Sequence, residues 1–138
     1  MSSKKDNIKT PDKYYMRLAL ALAKENQGLT KENPSVGCVL VKNNQIISTG
    51  VTSKNGRPHA EYNAIKNCII NPYGSTAYIT MEPCTHKGKT NPCSSLLIKS
   101  KVKKVIYSVM DIDHRTSNHA YKVLKKKGII VKKGILKK

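Results

Sequence analysis

A chain of 138 residues, 38% hydrophobic and 25% charged, has the size and make-up of one globular domain that buries roughly two thirds of its extended-chain surface. No apolar run approaches the about 18 residues of a membrane span, and the polar start Met1-Ser2-Ser3-Lys4-Lys5-Asp6-Asn7 leads into no apolar signal segment, so membrane insertion and export are not expected. The net charge of +18 invites a nucleic-acid reading, yet every basic residue except Arg17, Arg57 and Arg115 is lysine and Trp and Phe are absent, which leaves a solvated surface that attracts anions.

Residues 1–11 read as a polar extension ahead of a single domain over residues 12–138. Thr10-Pro11-Asp12 has the chemistry of a helix start, with a capping hydroxyl, Pro at the first helical position and an acid in the first turn. Tyr15, Leu18, Ala19 and Leu22 then share one face of a helix that ends near Asn26. Gly37 to Val41 and Gln45 to Thr49 form two Val/Ile-rich runs about Asn43-Asn44, a hairpin pattern. A helix is expected from Ala60 to Cys68, closed by Asn71-Pro72, followed by a short strand from Ala77 to Thr80. Cys93 to Lys99 reads as helix, Lys104 to Val109 as strand, Ser117 to Lys127 as a helix stopped by Gly128, and Ile129 to Val131 as a last strand. After the hairpin, strands and helices alternate. The expected fold is therefore α/β, a three-layer α/β/α sandwich with a five-stranded mixed sheet and helices on both faces.

The residues that carry chemistry lie at two strand-to-helix junctions, where open α/β sheets bind ligands. The first is Pro58-His59-Ala60-Glu61, which by itself is equally a surface His in the first turn of a helix. The second runs from Pro83-Cys84-Thr85-His86 through Gly88-Lys89-Thr90-Asn91-Pro92-Cys93, two cysteines about an eight-residue loop. Alone, these are equally buried thiols or, outside a reducing compartment, a disulfide. Together, one His and two Cys supply three zinc ligands and leave the fourth tetrahedral position for water, as a catalytic zinc requires. Glu61, two residues from His59, reaches that water without being a ligand. Nucleobase deaminases follow the same grammar of H-x-E, then P-C, then a second Cys, with Glu as the proton shuttle. Cys93 at a helix N-terminus favours the thiolate.

On these stretches, with Tyr14-Tyr15-Met16, Ala19-Leu20, Asn33-Pro34-Ser35-Val36-Gly37-Cys38 and Glu82-Pro83-Cys84, the chain resembles the deaminase domain of the bifunctional riboflavin-biosynthesis deaminase–reductase family, which are cytidine-deaminase-like zinc hydrolases. The resemblance runs from about Asp12 to Gly134. The long interval between the two cysteines is its most discriminating feature, because most deaminases of cytidine, deoxycytidylate or tRNA adenosine space them C-x-x-C. With no export signal visible the cytoplasm is the expected compartment, and the resemblance implies an enzyme that binds Zn2+ and deaminates 2,5-diamino-6-(5-phosphoribosylamino)pyrimidin-4-one. It implies zinc ligation by His59, Cys84 and Cys93, proton transfer by Glu61, and a hydrogen bond from Asn33 to the pyrimidine. His86 and Lys89 would contact the substrate, and Asp111 would open the segment that approaches the ribose phosphate. Subunit association is implied as well.

The family pattern is broken at Thr52, where many relatives carry His, at Asn91 in place of Pro, and at Asp111-Ile112-Asp113-His114 in place of Asp-Pro-Asn-Pro, beside which Arg115 adds a positive charge. No reductase domain is expected within the 138 residues, so the product would pass to a separate reductase protein unless the chain is a domain or shortened variant. Cys38 and Cys68 read as core fillers, and His114 and His119 as surface residues. One competing expectation is a zinc deaminase for another nucleobase, nucleotide or tRNA. The other is a basic binding module with a structural zinc, which needs Cys38 or Cys68 as a fourth ligand.

Overall fold

The computed structural model describes residues 4–31, 34–83, 93–109 and 119–134, with the backbone alone for residues 4–10 and 109. Helix α1 spans Lys4–Glu25 with Pro11 inside it. The helix thus begins within the segment read as a polar extension, and Thr10-Pro11 does not start it. Pro11 removes one backbone donor, and the Lys, Asp, Asn and Ile before it are compatible with a helical turn.

Strands β1 (Gly37–Lys42) and β2 (Gln45–Val51) pair antiparallel. Asn43 and Asn44 join them with φ of 53° and 63°, the two left-handed residues that a tight hairpin turn demands and that Asn tolerates. A short 3-10 turn, Lys54–Gly56, leads to α2 (Ala60–Lys66). Then follow β3 (Thr76–Met81), α3 (Cys93–Lys99), β4 (Lys104–Val109), α4 (His119–Lys126) and β5 (Ile130–Lys133). Gly128, with φ of 86°, ends α4 by donating to Lys125 O at 3.0 Å, while Ile129 N donates to Leu124 O at 3.1 Å.

The five strands lie in the order β2-β1-β3-β4-β5. Strand β1 is antiparallel to both of its neighbours, whereas β3, β4 and β5 are mutually parallel. Alternate residues of each strand face opposite layers. Val39, Val41, Tyr78 and Ile106 pack with Met16 and Ala19 of α1. Cys38, Leu40, Ala77, Ile79, Val105 and Tyr107 pack on the other face with Ala60 and Ala64 of α2, Leu97 of α3, and Ala120 and Leu124 of α4. The expected three layers are present. Strand β1, covered on both faces, is buried from Gly37 to Val41, which explains its unbroken apolar run.

Two glycines set the spacing between layers. A Cβ on Gly37 would collide with the Ala19 carbonyl of α1, and one on Gly50 with Ala60 O and Ala64 N of α2. Both helices therefore lie with their backbones directly on the hairpin. At the far side of the sheet, β5 is the outermost strand among the described residues, and Ile130, Lys132 and Lys133 on it are exposed. No helix among the described residues is long and apolar enough to cross a membrane.

Candidate active site

His59 is the N-cap residue of α2, with φ of −75° and ψ of 166°, and its side chain makes no capping bond. The imidazole instead turns towards α3, where Nδ1 lies 3.5 Å from Cys93 Sγ. With Zn–N of about 2.0–2.1 Å, Zn–S of about 2.3 Å and a tetrahedral angle, two ligands of one zinc ion stand about 3.6 Å apart. The observed separation and the donor types fit two corners of such a site. Glu61 follows in the first turn of α2 and is 4% exposed; Cys93, the first residue of α3, is buried to the same degree. The two junctions are thus brought to one place by packing α2 and α3 on the same face of the sheet.

The remaining expected site residues, Asn33, Cys84, His86, Lys89 and Asp111, lie outside the described residues. Among the described ones, no three His, Cys, Asp or Glu are gathered to hold an ion, so neither Cys38 nor Cys68 joins His59 and Cys93. Cys38 is wholly buried, and its thiol is pushed well above its ordinary range by burial first and then by the charge of Glu61, which favours the protonated form. Cys68 lies just past α2, where Sγ meets Ile70 O at 3.1 Å and burial raises its thiol as well.

Five further residues hold this end of the fold. Thr52, 1% exposed, accepts from Val36 N at 2.9 Å through Oγ1 and donates its own N–H to Val36 O at 2.9 Å. The segment after Asn33 is pinned further where Gly37 N donates to Thr80 Oγ1 at 3.1 Å. Asn63 reaches from α2 to the chain that precedes His59, with Nδ2 2.8 Å from Val51 O. Glu82 accepts from Ala120 N at 3.0 Å, capping the first turn of α4 from the end of β3. Gly50 admits α2 to its place. Thr52 and Glu82 showed in the sequence only as a break in, and a part of, the family pattern, while Asn63 and Gly50 gave no signal there.

An His-x-Glu helix start beside a Cys-headed helix, on a mixed five-stranded sheet, is the layout of the cytidine-deaminase-like fold. Residues 9–109 match the family model described as the cytidine and deoxycytidylate deaminase zinc-binding region. A diaminohydroxyphosphoribosylamino-pyrimidine deaminase of Buchnera aphidicola subsp. Schizaphis graminum is 45% identical over 127 residues, 92% of this chain and 86% of the relative. Among solved structures, RibD of Acinetobacter baumannii superposes with a TM-score of 0.87 at 42% identity, covering 91% of this chain and 35% of that one. A diaminohydroxyphosphoribosylaminopyrimidine deaminase/5-amino-6-(5-phosphoribosylamino)uracil reductase of Thermotoga maritima gives 0.84 at 35% identity, covering 92% and 37%. The chain therefore belongs to the zinc-binding deaminases, as the deaminase domain of the riboflavin deaminase–reductase family. It spans about a third of the two solved chains and most of the Buchnera deaminase.

Proposed function

We propose that the chain hydrolyses the 2-amino group of 2,5-diamino-6-(5-phosphoribosylamino)pyrimidin-4-one in riboflavin biosynthesis, yielding 5-amino-6-(5-phosphoribosylamino)uracil and ammonia. The observation that carries this reading is the 45% identity to a relative named for that deamination, over 86% of the relative's length. The surplus of lysine suits the substrate, a phosphorylated anion.

His59, Cys93 and, by the spacing of the motif, Cys84 would hold a zinc ion. The chemistry that such an ion supplies is a water acidic enough to attack at neutral pH. Glu61 moves the protons. Its carboxylate takes one from the attacking water as the water oxygen bonds to the ring carbon bearing the 2-amino group, and delivers it to the adjacent ring nitrogen. It takes the second water proton and gives it to the departing amine as the C–N bond breaks, leaving a carbonyl and free ammonia. Burial of Glu61 keeps bulk water from competing for those protons. By the family pattern, Asn33 would orient the pyrimidine, His86 and Lys89 would bind the substrate, and Asp111 would open the segment that approaches the ribose phosphate. The uracil product is what a reductase of the kind named in the Thermotoga protein consumes. We place the reaction in the cytoplasm, where thiols stay reduced and available to metal.

An ammonia-release assay on the diaminopyrimidine phosphate, cytidine, deoxycytidylate and guanine tests the assignment. Turnover of the first alone, lost on chelation and restored by zinc, is expected. Comparable turnover of deoxycytidylate, or none of the diaminopyrimidine, overturns it.

A further inference from the structure

The chain that connects β2 to α2 closes on itself just before His59. Ser53 N donates to Pro58 O at 3.0 Å, and Gly56 N donates to Ser53 O at 2.9 Å. The closure is completed from the helix. Asn63 Nδ2 donates to Val51 O at 2.8 Å, lies 3.0 Å from Ser53 Oγ and reaches Pro58 O at 3.3 Å. Its main-chain N–H donates to His59 O at 3.1 Å. One amide group thus faces three oxygens, from the last residue of β2, from the middle of the connection and from the residue before His59. The two carbonyls, Val51 O and Pro58 O, call for donors, so a carboxylate of the same shape would set oxygen against oxygen at both, while the Ser53 hydroxyl could turn to donate to it.

We propose that Asn63 is a positioning residue that fixes the entry into α2, and so sets how tightly zinc is held through His59. It touches neither substrate nor metal. The inference rests on the reading of His59 as a zinc ligand. A ligand held on a fixed backbone binds without first being ordered, and residues that orient ligands from behind are commonly worth about 10–100-fold in metal affinity.

The experiment is an equilibrium competition for zinc between a chromogenic chelator and the purified wild type, Asn63→Ala and Asn63→Asp, each checked for folding by its circular-dichroism spectrum. The expected result is a loss of at least tenfold in affinity for Asn63→Ala and a larger loss for Asn63→Asp. A residue that only stabilises the fold would lower the melting temperature and leave the affinity of the folded protein unchanged. Asn63→Ala within tenfold of wild type overturns the proposal, as does Asn63→Asp binding as tightly as Asn63→Ala. If Asn63→Asp does not fold, Asn63→Ala decides alone on the same threshold. A wild type that binds no zinc would instead defeat the zinc reading itself, so the two failures are distinct.

Discussion

Gly50→Ala changes one hydrogen to a methyl and is expected to disable the enzyme. The new Cβ would stand 2.9 Å from Ala64 Cα and closer still to Ala60 O and Ala64 N, all backbone atoms of α2. No rotamer change relieves such contacts. Carbon atoms pack best at about 3.5–4.0 Å, so α2 must lift from the sheet by on the order of 1 Å. Overpacking of this kind costs about 1–3 kcal/mol, and in a domain of this size the melting temperature should fall by roughly 3–10 °C. The same displacement carries His59 and Glu61, and a misplacement of about 1 Å commonly costs about 100-fold in rate. Ammonia release and a circular-dichroism melt of the zinc-loaded protein read both effects. Gly74→Ala is the control. Gly74 has φ of 76° and open space around it, so its Ala variant should lose some stability and keep its turnover. A Gly50→Ala protein that melts and turns over like wild type would refute the idea that contact with β2 places α2.

Three more outcomes are expected. Glu61→Gln should retain zinc by elemental analysis and lose about 100-fold or more of kcat, because an amide cannot relay protons. Thr52→Val removes the acceptor for Val36 N while keeping its shape, and should raise KM more than it lowers kcat if the segment after Asn33 carries a substrate contact. Tyr78 and Tyr107 titrate above the ordinary tyrosine value, through burial first in both, then through the Asp12 bond for Tyr78 and the Glu82 charge for Tyr107. Their neutral forms are favoured in the fold, so this stability is whole below about pH 10 and declines as the pH rises past it. Urea unfolding across that range should show the decline, and Tyr107→Phe should flatten it. That substitution also removes a buried hydroxyl with no hydrogen-bond partner among the described residues, so it should not destabilise the protein at neutral pH.

Local chemistry made several elements legible. Asn43-Asn44 is a turn whichever residues surround it, and both Cys93–Lys99 and Lys104–Val109 have the bounds their patterns predict. The start of α1 was misread because Thr10-Pro11-Asp12 satisfies every local rule for a helix cap, while the preceding residues can also propagate a helix. His59, Glu61 and Cys93 stood out as candidates because few residue types bind zinc or carry protons, and the fold sets His59 and Cys93 side by side. Thr52, Glu82 and Gly50 did not stand out, since each acts through a backbone atom elsewhere in the fold. Periodicity identifies the face on which a residue lies but not the carbonyl that comes to meet it. Thr52 shows the difference most clearly. In the sequence it is only a break in the family pattern; in the fold it is a buried tie between two segments of chain.

The lysines of β5 bear on how the protein behaves in a crowded solution. An outermost strand offers a ready template for another copy, and Ile130 at 48% exposure would favour such stacking. Lys132 and Lys133 are exposed beside it, the first 3.7 Å from Asp12 and the second over the Tyr121 ring, so a copy laid alongside would meet at least the Lys133 ammonium with its like. Concentrated salt shortens the reach of that repulsion from about 8 Å at physiological strength to about 3 Å at 1 M. Light scattering should then rise with salt in the wild type, and already at low salt when both lysines are replaced by Gln. The cationic excess thus acts as a guard against polymerisation.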